Sequence, residues 1–569
     1  MATIHDILAE FREAARSKRD MGDKFERLFA NYLVTEPYYR ERFTQIWMWN
    51  EWPGRGKRPD TGIDLVAEER GGNGLCAIQC KFYAPEHRLE KADLDSFFAT
   101  SAKAPFTSRI VASTTDDWSK NAEELLNDER VPCIRIRLQD LENSAVDWGR
   151  FSLARPDKMQ LRKKKTPLPH QQRAIEEVLH GLQSADRGKL IMACGTGKTY
   201  TALKIAESFA PTKGTDSHGR ILFLVPSIAL LAQALKEWSI ECSIPMHALT
   251  VCSDTAVRKA SDTEDIRVHD LPLPATTDHR KLAKQLAAVK DKGPLTVVFS
   301  TYQSIATIHE AQVLLGAPEF DLIVCDEAHR TTGVTLAGED ESHFVRVHDN
   351  GYIKALKRLY MTATPRIYMD SAKSKAKEAE ALLCSMDDEN LFGRELYRLN
   401  FGDAINQELL SDYKVLVLAV DEKFVSKTFQ KELAAASKAK GKEYDDYFTD
   451  LVKITGCWNG LGKRVGVDDA PMLAGDIAPM RRAVAFCNTI ATSKRIAALF
   501  SEIVCKYVEQ ASEDKRDALL CCEAEHMDGT MNALKRAHLL DWLKADMEKE
   551  GNACRILSNA RWPAWNCST

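Results

Sequence analysis

The sequence contains no apolar run near the roughly 20 residues that a membrane-crossing helix needs, in a chain of 569 residues. Its opening segment does not read as a signal peptide. "ATIHDILAEFREAARSKRD" sets Asp6, Glu10 and Glu13 among Ile4, Ile7, Leu8 and Phe11, whose spacing predicts an amphipathic helix. Those acids exclude a secretory signal and count against a mitochondrial transit peptide, so a cytoplasmic protein is expected. The 15 cysteines form no CxxC pair and no cysteine–histidine spacing suited to zinc. They read as buried thiols of a reducing compartment. No internal repeat is present, which argues against solenoids and propellers. Excess charge is absent too: the net value is −4, so bulk electrostatics announce no polyanion.

Basic residues do cluster locally, in "GRGKRP" (Gly54 to Pro59) and "RKKK" (Arg162 to Lys165). Each taken alone reads as a solvated loop. The length fits about three or four domains. "ARPDKMQLRKKKTPLP" (Ala154 to Pro169) is polar, basic and bounded by prolines, so a linker is expected over 154–166 after a first domain at 1–153. Beyond it, "KLIMAC", "RILFLV", "LTVVFS", "FDLIVCD" and "RLYMTA" alternate with helical stretches. This alternation predicts an α/β lobe with a parallel sheet covered on both faces, over 167–385. "KTFQKELAAASKAKGKEYDDYFTDLVKI" reads as charged amphipathic helix, and "RAVAFC" restarts a buried strand near Arg482. A second lobe is therefore expected over 386–569, with a helical insertion at about 422–478.

"MACGTGKT" (Met192 to Thr199) stands between the strand "KLI" and the helix "YTALKIAESF". Gly195, Thr196 and Gly197 let the backbone curl so that its N–H groups face a phosphate, and the helix N-terminus adds its dipole. Lys198 would reach the β- and γ-phosphates of ATP, and the Thr199 hydroxyl would ligate Mg²⁺. The general phosphate-loop pattern wants Gly at 192, where this chain has Met. Downstream, "DLIVCDEAH" (Asp321 to His329) is an apolar strand ending in two acids. Asp326 can hold Mg²⁺, and Glu327 can activate the water that attacks the γ-phosphate.

In the first domain, "GIDLVAEERGGNGLCAIQCKF" places two alternating runs around "GGNG", the pattern of a β-hairpin. Closing Arg70 against Leu75 would set Asp64 opposite Lys81 and Val66 opposite Gln79. Asp64, Gln79 and Lys81 then share one face. A carboxylate and an amide oxygen can ligate one hard cation, and the ammonium can stabilise an attacking hydroxide. The plainer reading is an exposed Asp–Lys ion pair, worth little. The tryptophans of "QIWMWNEWPGRGKR" are expected in the core rather than as base-stacking platforms.

Residues 167–365 resemble the first motor lobe of superfamily 2 helicases, with the family's motifs in its order. "PHQQRAI" matches the adenine-reading segment and gives that role to Gln171. "VPSIALLAQ" and "STYQS" match segments that contact the DNA backbone. "DEAH", which includes His329, is the acidic box, and "TAT" (Thr362 to Thr364) matches the segment coupling hydrolysis to lobe movement. The hairpin resembles the Mrr-type branch of the PD-(D/E)xK nucleases, in which Gln replaces the usual Glu. The upstream "GDKFERLF" makes Glu26 a further candidate ligand, with Asp60 behind it. The fusion is similar to the N-terminal part of type ISP restriction–modification enzymes. The resemblance implies a restriction-endonuclease-like domain followed by RecA-like lobes. It further implies ATP-driven movement on double-stranded DNA, Mg²⁺ at both sites, and a methyltransferase or specificity domain or subunit as partner.

After "CRILSNAR" such motors continue into S-E-G-V-D and Q-x-x-G-R-x-x-R segments, the latter supplying an arginine to the transition state. Here "WPAWNCST" follows Arg561. The expectation is an incomplete second lobe in a truncated product that binds ATP and hydrolyses it slowly, since a missing arginine finger costs about 10³–10⁵ in rate. The competing readings are a catalytically impaired DNA-binding remnant and a DNA-repair helicase–nuclease.

Overall fold

The computed structural model describes residues 3–412 and 442–559, apart from internal stretches at 57–61, 71–73, 85, 116, 127–130, 153–154, 156–157, 212–217, 254–267, 289–293, 336–342, 371–381, 466–469, 472–477, 511–515, 517–518, 529–530, 532, 546 and 548–551. The chain divides into two compact units, residues 1–411 with 566–569 and residues 412–565.

The first unit opens with α1 (Ile4–Ala14), closed at its start by a capping box between Thr3 and Asp6. Its stripe of Ile4, Ile7, Leu8 and Phe11 is buried, as the spacing predicts. Helix α2 (Lys18–Thr35) starts at Ser17, whose side chain accepts from the Asp20 amide. It buries Phe25, Leu28, Phe29 and Tyr32, and α3 (Pro37–Arg42) follows at once. These helices pack on a five-stranded sheet in the order β1 (Phe43–Met48), β2 (Leu65–Glu69), β3 (Leu75–Lys81), β4 (Phe106–Ser113) and β5 (Cys133–Ile136). The first three strands run antiparallel, and β3, β4 and β5 are parallel. Trp49 and Trp52 are core residues, as expected.

The expected hairpin forms in a different register. Leu65 faces Ile78 and Val66 faces Ala77, two residues from the predicted pairing. Arg70 causes the difference. Its amide donates to the Arg42 carbonyl at 2.8 Å, and its guanidinium donates to the carbonyls of Glu41 and Arg40. Arg70 is thus tied to the α3–β1 corner and cannot close the turn. Side chains alternate with period two along a strand, so an even slip leaves every residue on its expected face.

The next region of this unit is a seven-stranded sheet whose pairings are all parallel. Its strands are β6 (Arg187–Met192), β7 (Gly219–Val225), β8 (Met246–Val251), β9 (Leu295–Thr301), β10 (Phe320–Cys325), β12 (Ala355–Thr362) and β14 (Arg394–Leu399), in the order β14-β6-β12-β10-β7-β9-β8. A small ribbon of β11 (Gly333–Thr335) and β13 (Leu382–Cys384) lies apart from it. One apolar cluster covers each face, around Trp238, Phe223 and Phe299 on one side and Tyr302, Ile323 and Tyr360 on the other. Burial on both faces is what the unbroken apolar runs predict.

The basic segment between the two regions is docked on both sides. Arg162 donates its amide to the Ala145 carbonyl at 2.8 Å, and Lys165 donates its own to Glu241 at 2.7 Å. Lys164 Nζ donates to the Cys242 carbonyl. Two ion pairs join the regions directly, Arg135 with Asp270 at 2.8 Å and Lys236 with Asp140. The Arg135 and Asp270 side chains are 8% and 0% exposed.

The second unit holds a long helix (Lys442–Leu461), a short ribbon of β15 (Arg464–Val465) and β16 (Ala470–Pro471), and a three-stranded parallel sheet. That sheet is ordered β17 (Arg482–Phe486), β19 (Ala553–Asn559), β18 (Cys521–Met527). "RAVAFC" and "CRILSNAR" thus supply parallel strands. Within the expected insertion, residues 422–441 lie outside the described residues, as do Asp60 and the ending from Arg561 to Thr569.

Candidate active sites

The first cluster forms where β2, β3 and α2 meet. Asp64 sits one residue before β2, and Gln79 and Lys81 end β3. The main chain at Asp64 stays in the ladder, its amide donating to the Ile78 carbonyl at 2.9 Å. Its side chain takes the next position: Asp64 Oδ2 accepts the Cys80 amide at 2.7 Å. One carboxylate oxygen is therefore held by the backbone, which fixes the orientation of the group. Gln79 is 3% exposed, and its Oε1 has no hydrogen-bond partner among the described residues. A buried acceptor left unmatched is costly and calls for a donor or a cation.

Glu26 comes in from α2. Burial pushes the Cys80 thiol well above its usual value, Asp64 and Glu26 push it further, and Lys81 pulls it down. All three charged groups thus act electrostatically on Cys80. Among the described residues no three His, Cys, Asp or Glu side chains cluster at metal-holding distance. The donor set is therefore one firmly held carboxylate and one amide oxygen, with the acid of Glu26 on α2. An amide and a carboxylate are hard oxygen donors, and the orphaned Gln79 oxygen fits a hard divalent cation.

The second cluster lies at the carboxyl ends of the parallel strands, where ligands bind in open α/β sheets. Gly195 and Gly197 adopt φ of 85° and 83°, conformations that favour glycine. Thr196 Oγ1 donates to the Ala193 carbonyl at 2.7 Å and closes the curl. The helix Lys198–Glu207 starts directly behind it, with Thr199 in its first turn. Gln171 is spent on the protein itself: Oε1 accepts the Leu168 amide at 2.9 Å, and Nε2 donates to the Thr196 carbonyl at 3.1 Å.

Asp326 follows β10, and its amide donates to the Leu224 carbonyl at 2.9 Å. Burial pushes its carboxyl up to about 7, Glu327 beside it adds to this, and Lys198 opposes it. Lys198 thus acts electrostatically on Asp326. Two adjacent carboxyls with one ammonium near them suit a divalent cation. Glu327 has φ of 50°, an uncommon conformation for a residue with a side chain. His329 Nδ1 lies 3.3 Å from Glu327 and 3.0 Å from Thr362 Oγ1, so it links the acidic box to the end of β12.

Two supporting side chains were not singled out from the sequence. His170 Nε2 lies 2.9 Å from the Thr196 carbonyl, and Tyr302 donates its hydroxyl to the Asp326 carbonyl at 2.9 Å. Both sit inside motifs already noted, "PHQQRAI" and "STYQS". Adjacency to Gln171 was the available signal for His170.

A family described as restriction endonuclease matches residues 34–158, and the family described as type III restriction enzyme, res subunit, matches residues 164–367. The chain thus resembles restriction enzymes over a nuclease-like region followed by a helicase-like region. A solved structure titled "ATP-dependent Type ISP restriction-modification enzyme LlaBIII bound to DNA" is similar over 99% of this chain and 34% of that one, at 38% identity and TM-score 0.76. The type I restriction enzyme EcoAI endonuclease subunit of Escherichia coli is 26% identical over 383 residues, 64% of this chain and 39% of that one. A probable helicase of African swine fever virus is 27% identical over 251 residues, 44% of this chain and 24% of that one. The chain therefore spans about a third or less of two of these relatives and about two fifths of the third. Asp64, Gln79 and Lys81 lie inside the nuclease match, and Glu26 precedes it. Gln171, Lys198, Asp326, Glu327 and His329 lie inside the helicase match.

Proposed function

We propose that this chain combines a metal-dependent DNA endonuclease with an ATP-driven motor that moves on double-stranded DNA, as part of a restriction system. The observation that carries the reading is the partnerless Gln79 oxygen beside the backbone-held Asp64 carboxylate, in one compact unit with a phosphate-binding loop and an acidic pair. Divalent cations such as Mg²⁺ or Mn²⁺ supply Lewis acidity when held by Asp64 and Gln79 in the nuclease and by Thr199 and Asp326 in the motor.

In the nuclease, the Cys80 amide keeps the Asp64 carboxylate turned toward Gln79. The Lys81 ammonium stabilises negative charge developing on the scissile phosphate. Glu26 supplies an acceptor at the border of the site. In the motor, the N–H groups of residues 195–199 bind the phosphates of ATP, and Lys198 adds its charge. Glu327 takes the proton of the attacking water. His329 passes the state of the acidic box to Thr362. The expected partners are duplex DNA and a methyltransferase or specificity domain or subunit that reads the sequence.

The test is nicking of supercoiled plasmid in Mg²⁺, with and without ATP. The unaltered protein nicks, and Asp64→Ala and Lys81→Ala each lower the rate at least about 100-fold. Equal nicking by all three proteins overturns the nuclease assignment.

A further inference from the structure

A cavity of about 710 Å³ opens between the nuclease region and the motor lobe, away from both clusters described above. One wall is built by α3, β2 and the start of β4, the other by β8 and the helix His279–Ala287. Six lysine and arginine residues line it against two glutamates, Glu41 and Glu69. Part of this excess is already used. Arg70 donates to backbone carbonyls, Lys164 donates to the Cys242 carbonyl, and Arg40 lies 3.5 Å from Glu41.

What remains is specific. Arg42 has an 8% exposed side chain, and its Nη2 donates to Glu69 at 2.7 Å and to Ser108 at 2.9 Å. Its Nη1 has no partner among the described residues. Ser239 is 9% exposed, lines the same cavity, and its Oγ also has no partner among the described residues. Lys281 and Lys284 stand at the rim, one helical turn apart on an exposed face. A buried guanidinium N–H and a buried hydroxyl left unmatched, with two rim ammonium groups, form a set of donors lacking an anion. The apolar wall, with Tyr38, Met246 and Leu273, can cover an uncharged ring. The volume lies in the range of small-molecule sites and is too small for a duplex.

We infer that this cavity binds a phosphorylated small molecule of nucleotide size, with its phosphates toward Arg42, Ser239, Lys281 and Lys284. Because its two walls belong to different regions, the ligand holds the nuclease against the motor. It acts independently of the phosphate-binding loop.

The test uses the full chain carrying Lys198→Ala, which removes binding at the loop, titrated calorimetrically with ADP and with inorganic tripolyphosphate. Both bind the Lys198→Ala protein, and adding Lys281→Glu and Lys284→Glu weakens both at least about tenfold. These two lysines are exposed, so the fold survives their replacement. Absence of binding to the Lys198→Ala protein overturns the inference, and so does binding that ignores the two lysines. Displacement of tripolyphosphate by a short DNA duplex, with the same lysine dependence, also overturns it and assigns the cavity to the DNA path. Plasmid nicking measured separately keeps this result distinct from the nuclease assignment.

Discussion

Glu36 joins α2 to α3 and is 0% exposed. Its Oε2 accepts the Ala145 amide at 2.9 Å, and its Oε1 has no partner among the described residues. Burial pushes its carboxyl from 4.5 up to about 7, against the pull of the Ala145 amide, Lys236 and Arg162. The folded value lies above the unfolded one. The acid form therefore contributes stability that is fully present below pH 4.5 and is lost as the pH rises through 7. At about 1.4 kcal/mol per unit, forcing this carboxyl to ionise in place costs about 3 kcal/mol. Glu36→Gln keeps the acceptor for Ala145 and never ionises. Urea unfolding followed by tryptophan fluorescence is a direct assay, because Trp148 stacks on Tyr32 next to this site. The variant matches the unaltered protein near pH 5 and exceeds it by about 2–3 kcal/mol near pH 8.5. An equal difference at both pH values, or a variant less stable at the higher one, refutes the reasoning.

Three further outcomes are expected. Asp270→Asn destabilises the protein by about 2–3 kcal/mol in the same unfolding assay, because it leaves Arg135 with Glu123 alone. Burial would raise the Asp270 carboxyl, but Arg137 and Arg135 outweigh it and hold it well below the usual range. This pair's stability is thus present above the ordinary carboxylate range and lost as the pH falls through the lowered value, so the variant shows shallower acid unfolding. Gly197→Ala weakens binding of a fluorescent ATP analogue at least about tenfold, since φ is 83° and the added carbon lies 2.2 Å from Gln171 Nε2. Unchanged affinity, read by anisotropy, sinks the nucleotide reading of the loop. Glu327→Gln binds the analogue normally but loses at least about 100-fold in ATP turnover, measured by phosphate release.

The helicase-like motifs were legible because their geometry is local. Gly195 and Gly197 need their unusual backbone angles whatever packs around them, and a strand must end where its acids begin. The face shared by Asp64, Gln79 and Lys81 was also legible, since it depends only on period two. The register was not, because Arg70 answers to carbonyls at Arg40 and Glu41, contacts of about 30 residues' separation. The basic run at 162–165 read as a solvated loop, and its partners Ala145 and Glu241 sit in elements folded elsewhere. Glu36, Asp140 and Asp270 gave no sign of burial in the sequence. Their cations, Lys236 and Arg135, are brought to them only by the packing of one region on the other.

That packing bears on how such proteins can be recombined. The two regions meet through matched opposite charges, Arg135 on the nuclease side with Asp270, and Asp140 with Lys236 of the helicase-like region. A nuclease grafted from a distant relative brings its own charges to this seam, and a mismatch there leaves a desolvated ion unpaired. Viable chimaeras will exchange the two regions as one block or carry the paired residues across together, so the seam acts as a compatibility tag between modules.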